Sequence, residues 1–326
     1  MAAEKILVVG GAGYIGSQCA KELHKRGYQP LVLDDLSRGY KENVRWGEVV
    51  EGNLGDSALL KNLFAEHNIA AVMHFAAFAL VGESVEKPEM YEENNVTHTL
   101  SLLRAMRAAN VERFIFSSTC ATFGNPVEIP MTETHPQNPI NPYGQTKLDV
   151  EKKLAEYATD YGLKYAALRY FNAAGADPDG ETGERHEPES HLIPNVLKAA
   201  LGQIPAVKVF GTDYDTPDGT CVRDYIHTVD LAQAHILALE ALKKDSKPLI
   251  YNLGNGTGYS VRQVIDKVKE VSGQDFKVIE EARRPGDPPT LIGSAAKIKK
   301  ELGWEPQYPD LETIVRHAHA YAQANA

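Results

Sequence analysis

Residues 5–16 read KILVVGGAGYIG, and this short run constrains the fold more than any other part of the chain. An apolar, strand-like segment passes into Gly10, Gly13 and Gly16, which open a helical pattern, YIGSQCAKELHKRG. The spacing has a physical reason. One glycine lets the chain turn sharply off the strand. The next lets backbone N–H groups approach a diphosphate with no Cβ in the way, and the last lets the helix pack tightly on the sheet. The N-terminus of that helix then faces anionic oxygens, where its unpaired N–H groups and its dipole are favourable. Asp34 ends the next apolar run, PLVLDD, 18 positions beyond Gly16. A carboxylate there accepts from an adenosine ribose and repels a 2′-phosphate, which selects NAD over NADP. Arg38 nearby reads as a solvated loop charge. Asn53, after the third run, reads equally as a turn residue or as a contact to an adenine edge.

The alternation continues. GEVVEGNL, AAVMHFAA, RFIFSST and KYAALRY are separated by helical patterns at 57–68, about 91–110 and 143–161. Short, nearly continuous apolar strands joined by helices predict a parallel sheet covered on both faces, the Rossmann-type doubly wound α/β fold. Residues 1–176 form this expected dinucleotide-binding domain. The turn-rich stretch ADPDGETGERHEPESH (176–191) marks a boundary. Residues 177–221 and 245–326 form the expected smaller, mixed α/β substrate-binding domain. Residues 222–244 read as a strand and helix that return to the main sheet.

Composition excludes some classes of function. A length of 326 residues suits one large domain with a smaller one. The net charge of −10 disfavours a generic nucleic-acid or anionic-membrane surface, so a phosphorylated ligand needs locally concentrated donors. Cys19, Cys120 and Cys221 are too few and too scattered for a disulfide framework or a zinc site, and no metal is expected. No apolar run approaches the roughly 18 residues of a membrane span, and the chain starts directly with a strand. A cytoplasmic location is expected.

The run NPYGQTK puts Tyr143 and Lys147 at i and i+4, on one face of a helix. An isolated pair of this kind is ordinarily a surface contact. Here it opens the helix that follows RFIFSST, whose Ser117 and Thr119 stand at the carboxyl edge of the sheet, where ligands of open α/β folds sit. A tyrosine with a pKa of about 10 is mostly protonated at neutral pH. A neighbouring ammonium and a cationic nicotinamide favour the phenolate, and lowering the pKa by about three units takes roughly 4 kcal/mol. The phenolate can then take a proton from an alcohol while hydride leaves for NAD.

Together, GGAGYIG, HFAAF, SST, YGQTK and RYFNAAGA resemble the extended short-chain dehydrogenase/reductase family. VGESVEKPEMYEENNV, RYFNAAGA, DGTCVRDYIH and RRPGD resemble its UDP-glucose 4-epimerase (UDP-galactose 4-epimerase) branch, from about residue 5 to 320. The resemblance implies interconversion of UDP-glucose and UDP-galactose by reversible hydride transfer at hexose carbon 4, through a 4-keto intermediate, with tightly bound NAD in a homodimer. It makes Thr119 the catalytic hydroxyl, Tyr143 the base, and Lys147 the residue that holds the NAD ribose and tunes the phenol. Cofactor positions are matched by Gly10, Gly13, Tyr14, Ile15 and Gly16 in the first turn, and by Asp34, Asn53 and Leu54. Phe75, Ala76, Ala77, Asn94, Ser117 and Tyr170 complete that set. Phe171, Asn172, His191, Leu192, Phe210, Arg223, Arg284, Asp287 and Leu291 match positions that hold the UDP-sugar, together with Thr119 and Tyr143.

Several positions depart from the family pattern. Asn53 replaces a frequent aspartate, but its amide oxygen still accepts. Ala79 replaces a lysine near the cofactor phosphates, so some cofactor affinity is expected to be lost. His191 replaces an asparagine beside the diphosphate, and an imidazole can donate there. Leu291 replaces a tyrosine that limits the sugar pocket, which opens the way to N-acetylated sugars. The related dehydratases carry an Asp-Glu pair after the catalytic threonine. Cys120 and Ala121 stand here instead, which disfavours dehydration. Pentose 4-epimerases use the same machinery and stay open. A non-catalytic NAD-binding sensor would have no need of the retained hydroxyl, phenol and lysine.

Overall fold

Seven parallel strands form the central sheet in a computed structural model that describes residues 3–284 and 286–326. The first half of the chain builds most of it: β1 Lys5–Val9, α1 Tyr14–Lys25, β2 Gln29–Asp34, β3 Glu48–Glu51, α2 Ser57–Glu66 and β4 Ile69–His74. Two short helices follow, α3 Val81–Glu86 and α4 Pro88–Tyr91, and a π-helical segment Glu92–Thr97 runs into α5 His98–Ala108. Then come β5 Arg113–Thr119, α6 Pro142–Tyr161, β6 Lys164–Tyr170 and β7 Asn172–Ala174. The second half contains α7 Leu192–Ala200, β8 Val207–Phe210, β9 Val222–His227, α8 Thr228–Lys244 and β10 Leu249–Leu253. It ends with β11 Gly258–Ser260, α9 Val261–Ser272, β12 Val278–Glu281, β13 Thr290–Leu291, α10 Ala296–Leu302 and α11 Leu311–Ala324.

The strand order is β10-β6-β5-β4-β1-β2-β3. It reverses direction between β1 and β4, and the crevice at such a switch point is where open α/β sheets bind ligands. The apolar runs of the sequence are continuous because both faces of the sheet are covered. Ile6, Val8, Val32, Met73 and Ile115 pack on one face against Cys19 and Leu23 of α1 and Leu231, Ile236 and Leu239 of α8. Their neighbours Leu7, Leu31, Val72 and Phe114 pack on the other, against Leu63 of α2, Leu102 and Met106 of α5, and Leu154 of α6. Each such side chain removed from water contributes about 1.5–3 kcal/mol. This is the doubly wound arrangement that the sequence predicts.

The expected boundaries need correction in the second half. Helix α8 does pack on α1, within the first body. The strand before it does not join the main sheet: β9 is the centre of a smaller sheet, flanked by β7, β11 and β13. The seventh strand of the main sheet is β10, which lies inside the range 245–326 assigned to the smaller body and pairs with β6. Both segments are short, apolar and β-prone, so the choice between them rests on long-range pairing rather than local pattern. The smaller body gathers α7, α9 and α11 around Val196, Val264 and Ile314, beside the pair β8–β12.

Candidate active site

Every residue singled out above as a candidate lines one cleft of about 1550 Å³ between the two bodies. A single small-molecule pocket is usually about 300–1,000 Å³, so this cleft has room for two sizeable ligands side by side.

One end of the cleft is built by the first turn. Gly10 has φ +81°, and a Cβ there would lie 2.5 Å from the backbone nitrogen of Ala76. No side chain caps the N-terminus of α1, whose N-cap is Gly13, so its first N–H groups stay available to an anion. Tyr14 turns its hydroxyl away, donating to the carbonyl of Gly175 at 2.6 Å. Asp34 accepts from the N–H of Ala12 and of Leu36, each at 2.9 Å. Burial raises its pKa, and those two N–H groups hold the rise back. Asn53 accepts from Gly55 N–H at 2.8 Å and donates to Asp35 at 2.7 Å, so a turn role is satisfied while its oxygen keeps a lone pair. Arg38 is not a free loop charge. It pairs with Glu83 at 2.6 Å and lies 4.5 Å over the ring of Phe78. A diphosphate on α1 and a ribose on Asp34 fit this end, and the committed charge of Arg38 suits a cofactor without a 2′-phosphate.

The centre lies at the carboxyl ends of β5 and β6. Asn141 caps α6, its side chain accepting from Gly144 N–H at 2.8 Å, with Pro142 in the first turn. A Cβ on Gly144 would come within 2.4 Å of the carbonyl of Ala121. Glycine therefore lets α6 close onto the segment after β5, which brings Tyr143 to Thr119. The Thr119 hydroxyl accepts from Ala121 N–H at 3.1 Å and favours the ionised form of the Tyr143 phenol. Lys147 is buried, donates to the carbonyl of Ser117 at 2.9 Å, and lies 4.8 Å over the ring of Phe116. Ser117 and Tyr170 share a hydrogen bond between their hydroxyls.

The electrostatics differ from the expectation that Lys147 lowers the phenol. Burial pushes Tyr143 up, Tyr170 adds to the rise, and the Thr119 hydrogen bond only pulls part of it back. Burial also brings Lys147 down to about 7, against the charge of Glu151. Desolvation penalises both charged forms, and the ammonium is spent on a backbone carbonyl. The protein's own groups therefore keep the phenol protonated.

The other wall comes from the smaller body. Arg223 on β9 donates to the carbonyl of Val222 at 2.8 Å and pairs with Asp287. Arg284 stacks 3.9 Å over the ring of Phe210. Asn172 donates to the carbonyl of Asp224 at 2.9 Å. Leu291 is the register partner of Arg223 and packs with Phe171, Phe123 and Met131. His191 stands immediately before α7, with Leu192 as the first helical residue. Its Nδ1 lies 2.9 Å from both Glu184 and Glu189. Burial works against a charged His191, but Glu184 and then Glu189 hold its pKa up, to about 10.

Sequence reasoning missed Glu184, His186 and Glu189, which line or flank this end of the cleft. The segment was read as a turn-rich boundary. Its signal was the repeated Glu-x-His at 184/186 and 189/191.

Comparison with known proteins follows the same lines. Residues 6–254 match the model of the NAD dependent epimerase/dehydratase family. A UDP-glucose 4-epimerase from Rhizobium leguminosarum bv. trifolii is 52% identical over 318 residues, covering 98% of this chain and 97% of that protein. The crystal structure of a UDP-glucose 4-epimerase from Brucella ovis in complex with NAD superimposes with a TM-score of 0.96 at 52% identity, covering 98% of each chain. A UDP-glucose-4-epimerase from Stenotrophomonas maltophila, solved with NAD and formylated UDP-arabinopyranose, gives 0.95 at 38% identity, covering 99% of this chain and 98% of that one.

Proposed function

The chain belongs to the NAD dependent epimerase/dehydratase family, and we propose that it interconverts UDP-glucose and UDP-galactose with tightly bound NAD. One observation carries the reading: Thr119, Tyr143 and Lys147 share a single cleft with the uncapped, glycine-rich start of α1 and with the Arg223–Arg284–Phe210 wall. When bound, NAD supplies reversible hydride acceptance from hexose carbon 4, by way of a 4-keto sugar, and a positive charge that favours the Tyr143 phenolate.

The chain's own residues do the rest. Tyr143 takes the proton of the carbon-4 hydroxyl and later returns it, with Thr119 fixing the direction of the phenol. Lys147, held by the Ser117 carbonyl, faces the cofactor ribose. Gly10, Gly13, Ile15 and Gly16 accommodate the cofactor diphosphate, while Asp34 and Asn53 meet the adenosine. Leu54, Phe75, Ala76, Ala77, Asn94 and Tyr170 border the remainder. Arg223 and Arg284 grip the UDP diphosphate, with His191 beside them, and Phe210 packs on the uracil. Phe171, Asn172 and Leu291 border the sugar. The seven-stranded body binds NAD and the smaller body binds the UDP-sugar, in a cytoplasmic homodimer.

The test is direct. Purified protein with no added oxidant converts UDP-galactose to UDP-glucose, and Tyr143→Phe slows turnover by about 10²–10⁴-fold. Full turnover in that variant overturns the base assignment. Parallel arms with UDP-GalNAc and UDP-arabinose define how much room Leu291 leaves.

A further inference from the structure

At the edge of the cleft, and sharing His191 with the residues assigned to the substrate, one cluster has the make-up of a coordination sphere. Glu184, His186, Glu189 and His191 each offer one ligating atom, and these atoms all lie within 4.8 Å of one another. His191 Nδ1 lies 2.9 Å from an oxygen of Glu184 and 2.9 Å from one of Glu189. His186 Nδ1 lies 3.4 Å from Glu184 and 3.5 Å from Glu189. A tetrahedral zinc site with ligands at about 2.0–2.1 Å has neighbouring ligand atoms about 3.3–3.4 Å apart. Glu184 offers the same oxygen, Oε1, to both imidazoles, at 2.9 and 3.4 Å, while Glu189 meets His191 through Oε1 and His186 through Oε2.

Several further features separate this cluster from a surface ion pair. The side chains of Glu184 and Glu189 are only 8% and 3% exposed. Two carboxylates buried side by side need a cationic partner. His186 Nδ1 is buried and makes no hydrogen bond, only the longer contacts to Glu184 and Glu189. Glu189 is itself oriented by the backbone N–H groups of Ser190 and His191, both at 2.8 Å, as outer partners orient a metal-binding carboxylate. Each half of the sequence is Glu-x-His, and in extended chain alternate residues point the same way. The imidazoles are 31% and 44% exposed, which leaves an entry path for an ion. Among the described residues, the other acidic cluster, Asp177, Asp179 and Glu181, is already organised around the Lys21 ammonium.

We propose that Glu184, His186, Glu189 and His191 bind one divalent transition-metal ion of the zinc type. Two imidazoles and two carboxylates suit such an ion in nitrogen–oxygen ligation, and four protein ligands make a closed, structural site rather than a catalytic one. The ion pins the loop after β7 to the start of α7. His186 meets the ring of Tyr14 edge-on, with ring centres 6.3 Å apart, so the clip also reaches the glycine-rich turn. Coordination through His191 Nδ1 leaves its Nε2–H free for the cleft.

The experiment uses untagged, full-length protein with its cofactor, dialysed against a chelator and titrated with Zn²⁺ in competition with a chromophoric chelator. One Zn²⁺ per chain is expected. His186→Ala and Glu189→Gln should each weaken binding by about 100-fold or more, since even outer-shell partners are worth roughly 10–100-fold. Circular dichroism verifies that both variants are folded. Parent protein loaded with Co²⁺ provides a second readout, because a tetrahedral site gives an intense visible absorption band. Substoichiometric Zn²⁺ binding, unchanged affinity in both folded variants, or a Co²⁺ spectrum without that band means an ion-pair network only, and overturns the assignment.

Discussion

Glu151 ties three elements of the cleft together, α6, β5 and β6, and replacing it should cost more than any surface change. It projects from α6, the helix of Tyr143 and Lys147, and pairs with Arg169 on β6 through contacts at 2.6 and 2.9 Å. Ser118 of β5, next to Thr119, donates to it at 2.5 Å, and Gln137 donates at 3.2 Å. The two side chains of the ion pair are 4% and 7% exposed. Glu151→Gln keeps the volume, so no cavity forms, but it leaves a buried guanidinium unmatched. Breaking one partner of a buried pair costs about 3–5 kcal/mol. With an unfolding entropy of about 2.1 cal/mol/K per residue, or about 0.7 kcal/mol/K for a chain of this length, the melting midpoint should fall by about 4–7 °C. The double change Glu151→Leu with Arg169→Met removes both charges and should recover most of that loss, leaving about 1–3 kcal/mol for the orphaned Ser118 hydroxyl. Thermal unfolding at fixed protein concentration measures all three proteins. A Glu151→Gln midpoint within about 1 °C of the parent, or a double variant less stable than the single one, refutes the reasoning.

Two further outcomes follow from the same geometry. The pKa of Lys147 in the fold, about 7, lies below its ordinary value, so the unfolded chain holds this proton more tightly. Its contribution is least favourable below pH 7 and improves as pH rises from about 7 to about 10. Urea midpoints of Lys147→Met should therefore rise less between pH 7 and 9 than those of the parent, and equal slopes would contradict the buried ammonium. Arg284→Ala removes the guanidinium stacked on Phe210. It should raise KM for the UDP-sugar by about 10–100-fold with a much smaller effect on kcat, because a charged hydrogen bond far from the reacting carbon is worth about 1.5–3 kcal/mol. An unchanged KM removes Arg284 from the diphosphate site.

What could be read from the sequence was what depends on neighbours along the chain. The order β1-α1-β2 was legible because the strand, the glycines and the amphipathic helix are contiguous. Tyr143 and Lys147 were legible because i and i+4 fixes their common face once Asn141 and Pro142 start the helix. The π-helical turn at Glu92–Thr97 was not, since a wider turn leaves the apolar periodicity almost unchanged. There the Asn95 side chain bonds to both backbone groups of Phe78 and to Thr146, contacts that no local pattern announces. The exchange of β9 and β10 between the two sheets has the same origin. The Glu184–His191 cluster was hidden because a polar, turn-rich composition reads as a solvated loop, while its side chains converge only when the loop folds back against α1 and α7.

The distribution of charge explains how an acidic chain can grip a diphosphate and still leave the sugar free to turn. Several cations that line the cleft are already matched: Arg38 by Glu83, Lys208 by Glu281, and Arg223 by Asp287. On the proposed reading, Arg223 shares its fork between Asp287 and an incoming phosphate, whereas Arg284 meets an aromatic face. These donors belong to the smaller body, and Thr119, Tyr143 and Lys147 to the larger. On the proposed reading, binding energy is thus invested in the nucleotide, on one side of the cleft, while the other side offers the sugar one phenol and one hydroxyl. Interactions equally strong before and during the reaction do not accelerate it. A strong remote grip joined to a sparse reacting end instead keeps the substrate from leaving while its hexose presents first one face and then the other to the same edge of the sheet.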